Sequence, residues 1–203
     1  MSNVIVVAAH PDDETIGCGG ALRRHVLAGD RVSVIFLTSG EAGGHGIDDP
    51  RATREREARE AAEILGVCEV EFWGEPDGRL KATRATVERL TQAVERSRAS
   101  VLYAPHRNDD HPDHRCASRI ARRALAGSAH RSQLLQYEIW SPVAQIDHIV
   151  DISEVLEVKL RAIRAYRSQC AVMRFDDAFR GLARYRGEMH SWPGGDYAEV
   201  FCE

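Results

Sequence analysis

The sequence predicts an α/β protein: a Rossmann-like three-layer fold with a mainly parallel central sheet and helices on both faces. Short, β-branched apolar runs alternate with longer stretches whose apolar residues recur at helical spacing, as strands buried on both faces and their covering helices do. Histidine and aspartate also cluster directly after the first and fourth of these runs. In open α/β sheets, ligands bind at the carboxyl ends of the strands, where these clusters fall.

The elements follow in order. Val4 to Ala8 reads as the first strand, and a helix from about Gly19 to Leu27 closes on the "AGD" turn. Val32 to Leu37 is the second strand. "DPRATREREAREAAEILG" is a helix with Asp49 as its cap, Pro50 at its first position and Gly66 as its stop. Val67 to Phe72 and Val101 to Ala104 supply two more strands, followed respectively by the helices "TRATVERLTQAVERSR" and "PDHRCASRIARRALAG". Further on, "QLLQYEIW" and "HIVDI" read as strands, "SEVLEVKLRAIRAYRSQ" as one helix opening on a Ser153 cap, and "YAEVFCE" as a last short strand. Irregular segments are expected at Ser39 to Asp49, Trp73 to Ala82, Pro105 to Pro112 and Gly187 to Asp196, several of them at one rim.

The chain has 203 residues, 43% of them apolar, enough for one sizeable core. Residues 1–203 are therefore expected to form a single domain, with 127–203 completing its pocket. No internal repeat is evident. With 27 basic and 31 acidic side chains, the net charge of -4 argues against tracking a nucleic-acid backbone. There is no charged leader and no stretch of roughly 20 apolar residues, so a soluble, unexported protein without a membrane span is expected. Cys18, Cys68, Cys116, Cys170 and Cys202 are scattered, which fits reduced, packed thiols in a cytoplasmic protein.

The run "VIVVAAHPDDETIGCGG" ends in His10, Asp12, Asp13 and Glu14, where Pro11 signals a turn. Gly17, Gly19 and Gly20 permit close backbone approach as the chain enters a helix. A solvated turn with acids at a helix start is one reading of this stretch. A phosphate loop is another, but the Lys-Ser/Thr ending is missing and adjacent carboxylates repel phosphate. A nicotinamide-binding domain lacks its glycine fingerprint here. The second cluster, "YAPHRNDDHPDHR", holds His106, Asp109, Asp110, His111, Asp113 and His114. Together the two clusters suggest a metal site, because imidazole and carboxylate are the usual ligands of catalytic zinc. His25, His45, His130, His148 and His190 lack such company and are assigned to surface or packing, although His45 and His190 sit in candidate rim loops.

"AHPDDE" and "HPDH", with "TREREAREAAEILG", "PDGRL", "YEIW" and "ARYRG...YAEVF", resemble the LmbE-like or PIG-L-like family of metal-dependent N-acetyl amino-sugar deacetylases over nearly the complete chain. The resemblance implies zinc ligands His10, Asp13 and His114, and Asp12 as general base. His111 is then charged or donates to the oxyanion, with Asp113 orienting it and raising its proton affinity. Asp109 braces a ligand histidine or its loop, and Glu14 and Arg54 fall at substrate-shell positions. Read as helix surface alone, Arg54 is an outward arginine paired with Glu55 or Glu57. Trp73, Trp140 and Trp192 are candidate faces for a sugar ring.

The implied reaction removes an N-acetyl group from an N-acetylglucosamine-like sugar or glycoside. The alternatives are a metal-dependent amidase acting on a thiol-sugar conjugate or other amide, and a metal-binding structural domain. Iron, manganese or cobalt also suits the ligand set. The implied partner is a small N-acetylated molecule, and the resemblance is compatible with a homo-oligomer. The glycine-rich "GEAGGHGIDDP" is a candidate cover for the pocket.

Overall fold

The β-branched runs form seven strands: β1 (Asn3–Ala8), β2 (Arg31–Phe36), β3 (Glu69–Phe72), β4 (Val101–Pro105), β5 (Gln133–Tyr137), β6 (His148–Asp151) and β7 (Ala198–Cys202). The computed structural model describes residues 1–44, 46–190 and 195–203; His45 and Trp192 lie outside the described residues. One sheet runs in the order β3-β2-β1-β4-β5-β7-β6. It is parallel from β3 to β5 and antiparallel where β7 pairs with β5 and β6. Because β1 pairs with β2 on one side and β4 on the other, the chain changes direction between β1 and β4. That switch point opens the crevice in which both histidine clusters lie.

Alternation along β1 feeds two cores. Val4, Val6 and Ala8 face one layer, Ile5, Val7 and Ala9 the other. The first is covered by α1 (Asp13–Leu27), α2 (Pro50–Leu65), α5 (Leu156–Ala165) and α7 (Phe175–His190), the second by α3 (Arg84–Ser97) and α4 (Pro112–Gly127). The caps of α2 follow its sequence: Asp49 accepts from the Ala52 N–H at 3.0 Å, Pro50 opens the helix, and Gly66 closes it at φ 83°.

Three elements differ from expectation. Helix α1 starts at Asp13, ahead of Gly19, and is two helical pieces joined at a kink at Cys18 (φ -143°, ψ 16°). Beyond the kink, the Glu199 carboxylate accepts the N–H groups of Gly20 (2.8 Å) and Ala21 (2.7 Å), while Lys159 Nζ donates to the Ile16 carbonyl (2.7 Å). The predicted helix over 153–169 is a 3-10 turn (Ser153–Val155), α5, and a short α6 (Arg167–Cys170), divided at Tyr166. Ser153 does not cap it; its hydroxyl donates to Asp151 at 2.7 Å. Helix α7 carries 187–190, expected to be irregular. Its inner stripe includes Arg186, which is buried against Glu138 at 2.6 Å and so breaks the apolar pattern in sequence.

The cysteines are free, but Cys68 is exposed instead of packed. His25 sits between Asp30 (2.9 Å) and Tyr103 (3.1 Å), His130 reaches the Ala99 carbonyl (3.0 Å), His148 pairs with Glu203 (2.7 Å), and His190 contacts Arg186 (3.2 Å). Among the described residues, no helix is long and apolar enough to cross a membrane.

Candidate functional site

The first cluster turns directly out of β1. Asp12 adopts φ 121°, rare for a residue with a Cβ, and this lets adjacent aspartates diverge. Asp13 turns back to accept the His10 N–H at 2.8 Å. Close packing beneath this turn explains the glycines: a Cβ on Gly17 would stand 2.1 Å from the Tyr137 ring.

The second cluster leaves β4 and enters α4. His111 is the N-cap of α4, its Nδ1 accepting the Asp113 N–H at 3.2 Å. Asp109 organises the loop. Its Oδ1 accepts the His111 N–H and contacts His114 Nδ1, both at 2.9 Å. Its Oδ2 accepts the N–H groups of Trp140 (3.0 Å) and Ser141 (3.2 Å). His106 points elsewhere, to the Ser141 carbonyl at 2.8 Å.

The clusters meet at His114 Nε2, which lies 3.2 Å from Asp13 Oδ1 and 3.3 Å from His10 Nδ1. His10 Nδ1 is 3.6 Å from Asp13 Oδ2, and His10 Nε2 is 3.0 Å from Asp77 and 3.5 Å from Asp113. His10, His111 and His114 each bring one nitrogen within 4.8 Å of the others, as do the ligand atoms of His10, Asp77 and Asp113. Asp77 arrives on the loop after β3. Sequence reasoning missed it because an acid before glycine reads as a turn residue.

The field of these groups suits a divalent cation. Burial opposes charge on Asp13, but His114 and His10 hold its carboxyl well below the usual range. Asp77, Asp109 and Asp113 are likewise low despite burial, each held down by bonds to histidines or backbone N–H groups. Burial also lowers the proton affinity of His114, yet Asp13 and Asp109 outweigh it and raise the group to about 9. His10 is raised the same way by Asp113, Asp13 and Asp77. The imidazole and carboxylate donors thus converge where positive charge is strongly favoured, which matches the donor chemistry of a catalytic divalent metal.

Asp12 borders that centre but has a partner of its own. Burial pushes its carboxyl up to about 6, against the pull of Arg54, whose Nη2 donates to it at 3.1 Å. Arg54 is 4% exposed and also donates to the carbonyls of Pro11 (2.6 Å) and Gly40 (2.8 Å). The outward pairing with Glu55 or Glu57 is therefore corrected: Arg54 points inward, drawn by three acceptors. Glu14 is buried behind the site, where Thr15 and Tyr166 donate to it, and it is pushed up to about 7 mainly by burial. It does not line the cavity. Asp113 holds the His111 ring through its own N–H, and its charge pulls the proton affinity of His111 upward. Its carboxylate accepts from Gly78 (2.7 Å) and Leu80 (3.2 Å), and His111 as a whole is lowered because burial and neighbouring His10 and His114 outweigh the pull of Asp13 and Asp113.

A cavity of about 300 Å³ opens over the site. Its lining brings together His10, Asp12, Asp13, Arg54, Asp77 and His111 with the apolar Ile16, Ile139, Trp140 and Phe175. Ala42 and Gly43 of the glycine-rich segment reach its wall. Trp73 does not line it and lies under the Arg89 guanidinium at 4.2 Å.

Comparison with known proteins agrees with this architecture. The sequence model of the family described as "PIG-L: GlcNAc-PI de-N-acetylase" matches residues 5–125. A diacetylchitobiose deacetylase of Thermococcus kodakarensis is 29% identical over 230 residues, covering 98% of this chain and 82% of the relative. A conserved protein of Thermus thermophilus superposes with a TM-score of 0.88 at 36% identity, covering 100% of this chain and 94% of its own. GalB, the 4-carboxy-2-hydroxymuconate hydratase of Pseudomonas putida, superposes with a TM-score of 0.86 at 25% identity, over 99% and 95% of the two chains.

Proposed function

The chain belongs to the PIG-L family of GlcNAc-PI de-N-acetylases, and from that premise we propose that it removes the N-acetyl group of an N-acetylglucosamine-like amino sugar or glycoside by metal-assisted hydrolysis. Family and fold support deacetylase-like hydrolytic activity on acetamido sugars. The observation that carries the finer reading is the meeting of His10, Asp13 and His114 within 3.2 to 3.6 Å, with the Asp12 carboxylate beside them at the cavity wall.

Zinc held by His10, Asp13 and His114, or iron, manganese or cobalt in its place, would polarise the amide carbonyl and acidify water. Asp12 takes the proton of the attacking water. Its affinity, raised to about 6, suits a base working near neutrality. Arg54 fixes the oxygen it binds, so the other oxygen of Asp12 is left for that proton. Because His111 Nδ1 accepts the Asp113 N–H, the ring proton of neutral His111 sits on Nε2. That N–H donates a hydrogen bond, keeping its proton, to the oxygen on which negative charge develops. Asp12 then returns its proton to the departing amine, leaving acetate and the free amino sugar. Ile139, Trp140 and Phe175 supply apolar surface to the pocket.

The likeness to a hydratase favours a second reading, water addition to an unsaturated carboxylate, which needs the same base. Acetate release from N-acetylglucosamine, its glycosides, acetylated thiol-precursor sugars and glycolipid headgroup analogues, with zinc-loaded and metal-stripped protein, tests the first. Acetate that depends on metal supports it. No acetate from any substrate, together with bleaching of a conjugated unsaturated acid, would replace it with the second.

A further inference from the structure

Charge alternates along three helices of this chain and is segregated on a fourth. Arg51 pairs with Glu55 on α2 at 3.0 Å, Arg84 with Glu88 on α3 at 2.6 Å, and Arg184 with Glu188 on α7, each about one turn apart. Helix α4 carries Arg115, Arg119, Arg122 and Arg123 but a single acid, Asp113, whose carboxylate is turned inward to the N–H groups of Gly78 and Leu80. No acid of α4 is left to balance its four guanidiniums.

Arg115, Arg119 and Arg122 recur about one turn apart on the exposed face of α4, with Arg123 beside them, while His114 is on the buried face. With Arg107, from the loop after β4, and the buried Ser118, they line a cavity of about 390 Å³. Among the described residues, none of these five arginines forms an ion pair. Backbone holds both ends of the stripe. Arg115 Nη1 donates to the carbonyls of Asp109 (2.7 Å) and Asp110 (2.6 Å), and Arg123 Nη1 donates to that of Ala82 (3.5 Å). Carbonyl oxygens orient these groups without cancelling their charge. In a chain of net charge -4, this local excess of positive charge repels itself, and a bound anion relieves that repulsion.

The lining also selects the anion. Guanidinium forks match the oxygen geometry of phosphate, and five of them offer more donors than one phosphate group accepts. Linked phosphates would engage several forks at once. No aromatic or large apolar side chain lines this cavity among the described residues. It therefore lacks a stacking platform for nucleic-acid bases and an apolar seat for a protein partner.

We infer that Arg107, Arg115, Arg119, Arg122 and Arg123 form a binding site for a linear polyphosphate anion. The site does not depend on the deacetylase reading, because it shares no lining residue with the cavity over His10 and Asp13.

The test is calorimetric titration of the zinc-loaded and the metal-stripped protein with inorganic triphosphate, pyrophosphate and orthophosphate. Triphosphate binds with or without zinc, about tenfold more tightly than orthophosphate. Arg119→Gln and Arg122→Gln, both changes at exposed positions, each weaken it about tenfold. Arg167→Gln, which removes the same charge where Glu60 pairs with it, leaves binding unchanged. Equal affinity for the three anions, or binding untouched by the Arg119 and Arg122 variants, overturns the site. So does binding seen only with zinc present, which reports chelation of the metal. A single-stranded oligonucleotide that binds the stripe more tightly than triphosphate overturns it too, as does a dimer dissociated by Arg119→Gln with no anion bound. Acetate release measured in the same samples reports on the proposed reaction alone.

Discussion

Tyr166 donates its hydroxyl proton to Oε1 of Glu14 at 2.5 Å, while Oε2 of that carboxylate accepts the backbone N–H of Asp12 at 3.2 Å. A tyrosine at the break between α5 and α6 thereby steadies the backbone of the proposed base, which sits at φ 121°. Tyr166→Phe removes one donor from a buried carboxylate, at a cost of about 1–3 kcal/mol. Turnover is expected to fall about tenfold or more as Asp12 loses its alignment, with bound metal unchanged. In an Asp12→Asn background the same change should add nothing to the loss in rate. Additive losses would show that Tyr166 acts on stability alone.

The two adjacent aspartates should separate cleanly by variant. Asp13→Ala is expected to lose metal, measured as metal per chain after dialysis. Asp12→Ala should keep it and lose about 10²-fold or more in kcat. Full turnover in purified Asp12→Ala would remove it as the base.

Asp109 ties His114 to the backbone of His111, Trp140 and Ser141. Its replacement by alanine leaves every proposed ligand in place but unbraced. Metal affinity should drop by about 10–100-fold in chelator competition. An unchanged affinity would mean that the protein fold alone orients His114.

Gly40 has φ 67°, and a Cβ there would stand 2.4 Å from Arg54 Nη1. Gly40→Ala should therefore displace the guanidinium from Asp12 and reproduce the kinetic loss of Arg54→Lys without touching any acid or histidine. Combining the two should cost no more than either alone, which steady-state kinetics of the three variants will check.

Much of this was legible because chemistry and punctuation coincide. Pro50 and Gly66 bound α2 in the sequence as they do in the structure. The histidine clusters follow β1 and β4 because those strands are continuous apolar runs, buried on both faces. The inward course of Arg54, which the family resemblance implied, was not legible from its helix alone, since its partners are a carbonyl at Gly40 and a turn at Pro11–Asp12, far away in sequence. Asp77 was hidden for a similar reason: its proximity to His10 depends on how a loop folds over the sheet edge. Helix α7 escaped because a buried arginine, satisfied by Glu138, stands where periodicity looks for an apolar residue.

The cap on the kink of α1 carries a consequence for biosynthesis. Glu199, which closes the helix behind Asp12 and Asp13, lies 179 residues beyond Gly20. During translation the His10 motif leaves the ribosome before the HPDH motif, which follows with α4. The first motif does not have its full support until β7 has emerged and docked between β5 and β6. A nascent chain can thus carry every proposed ligand and still bind a cation poorly.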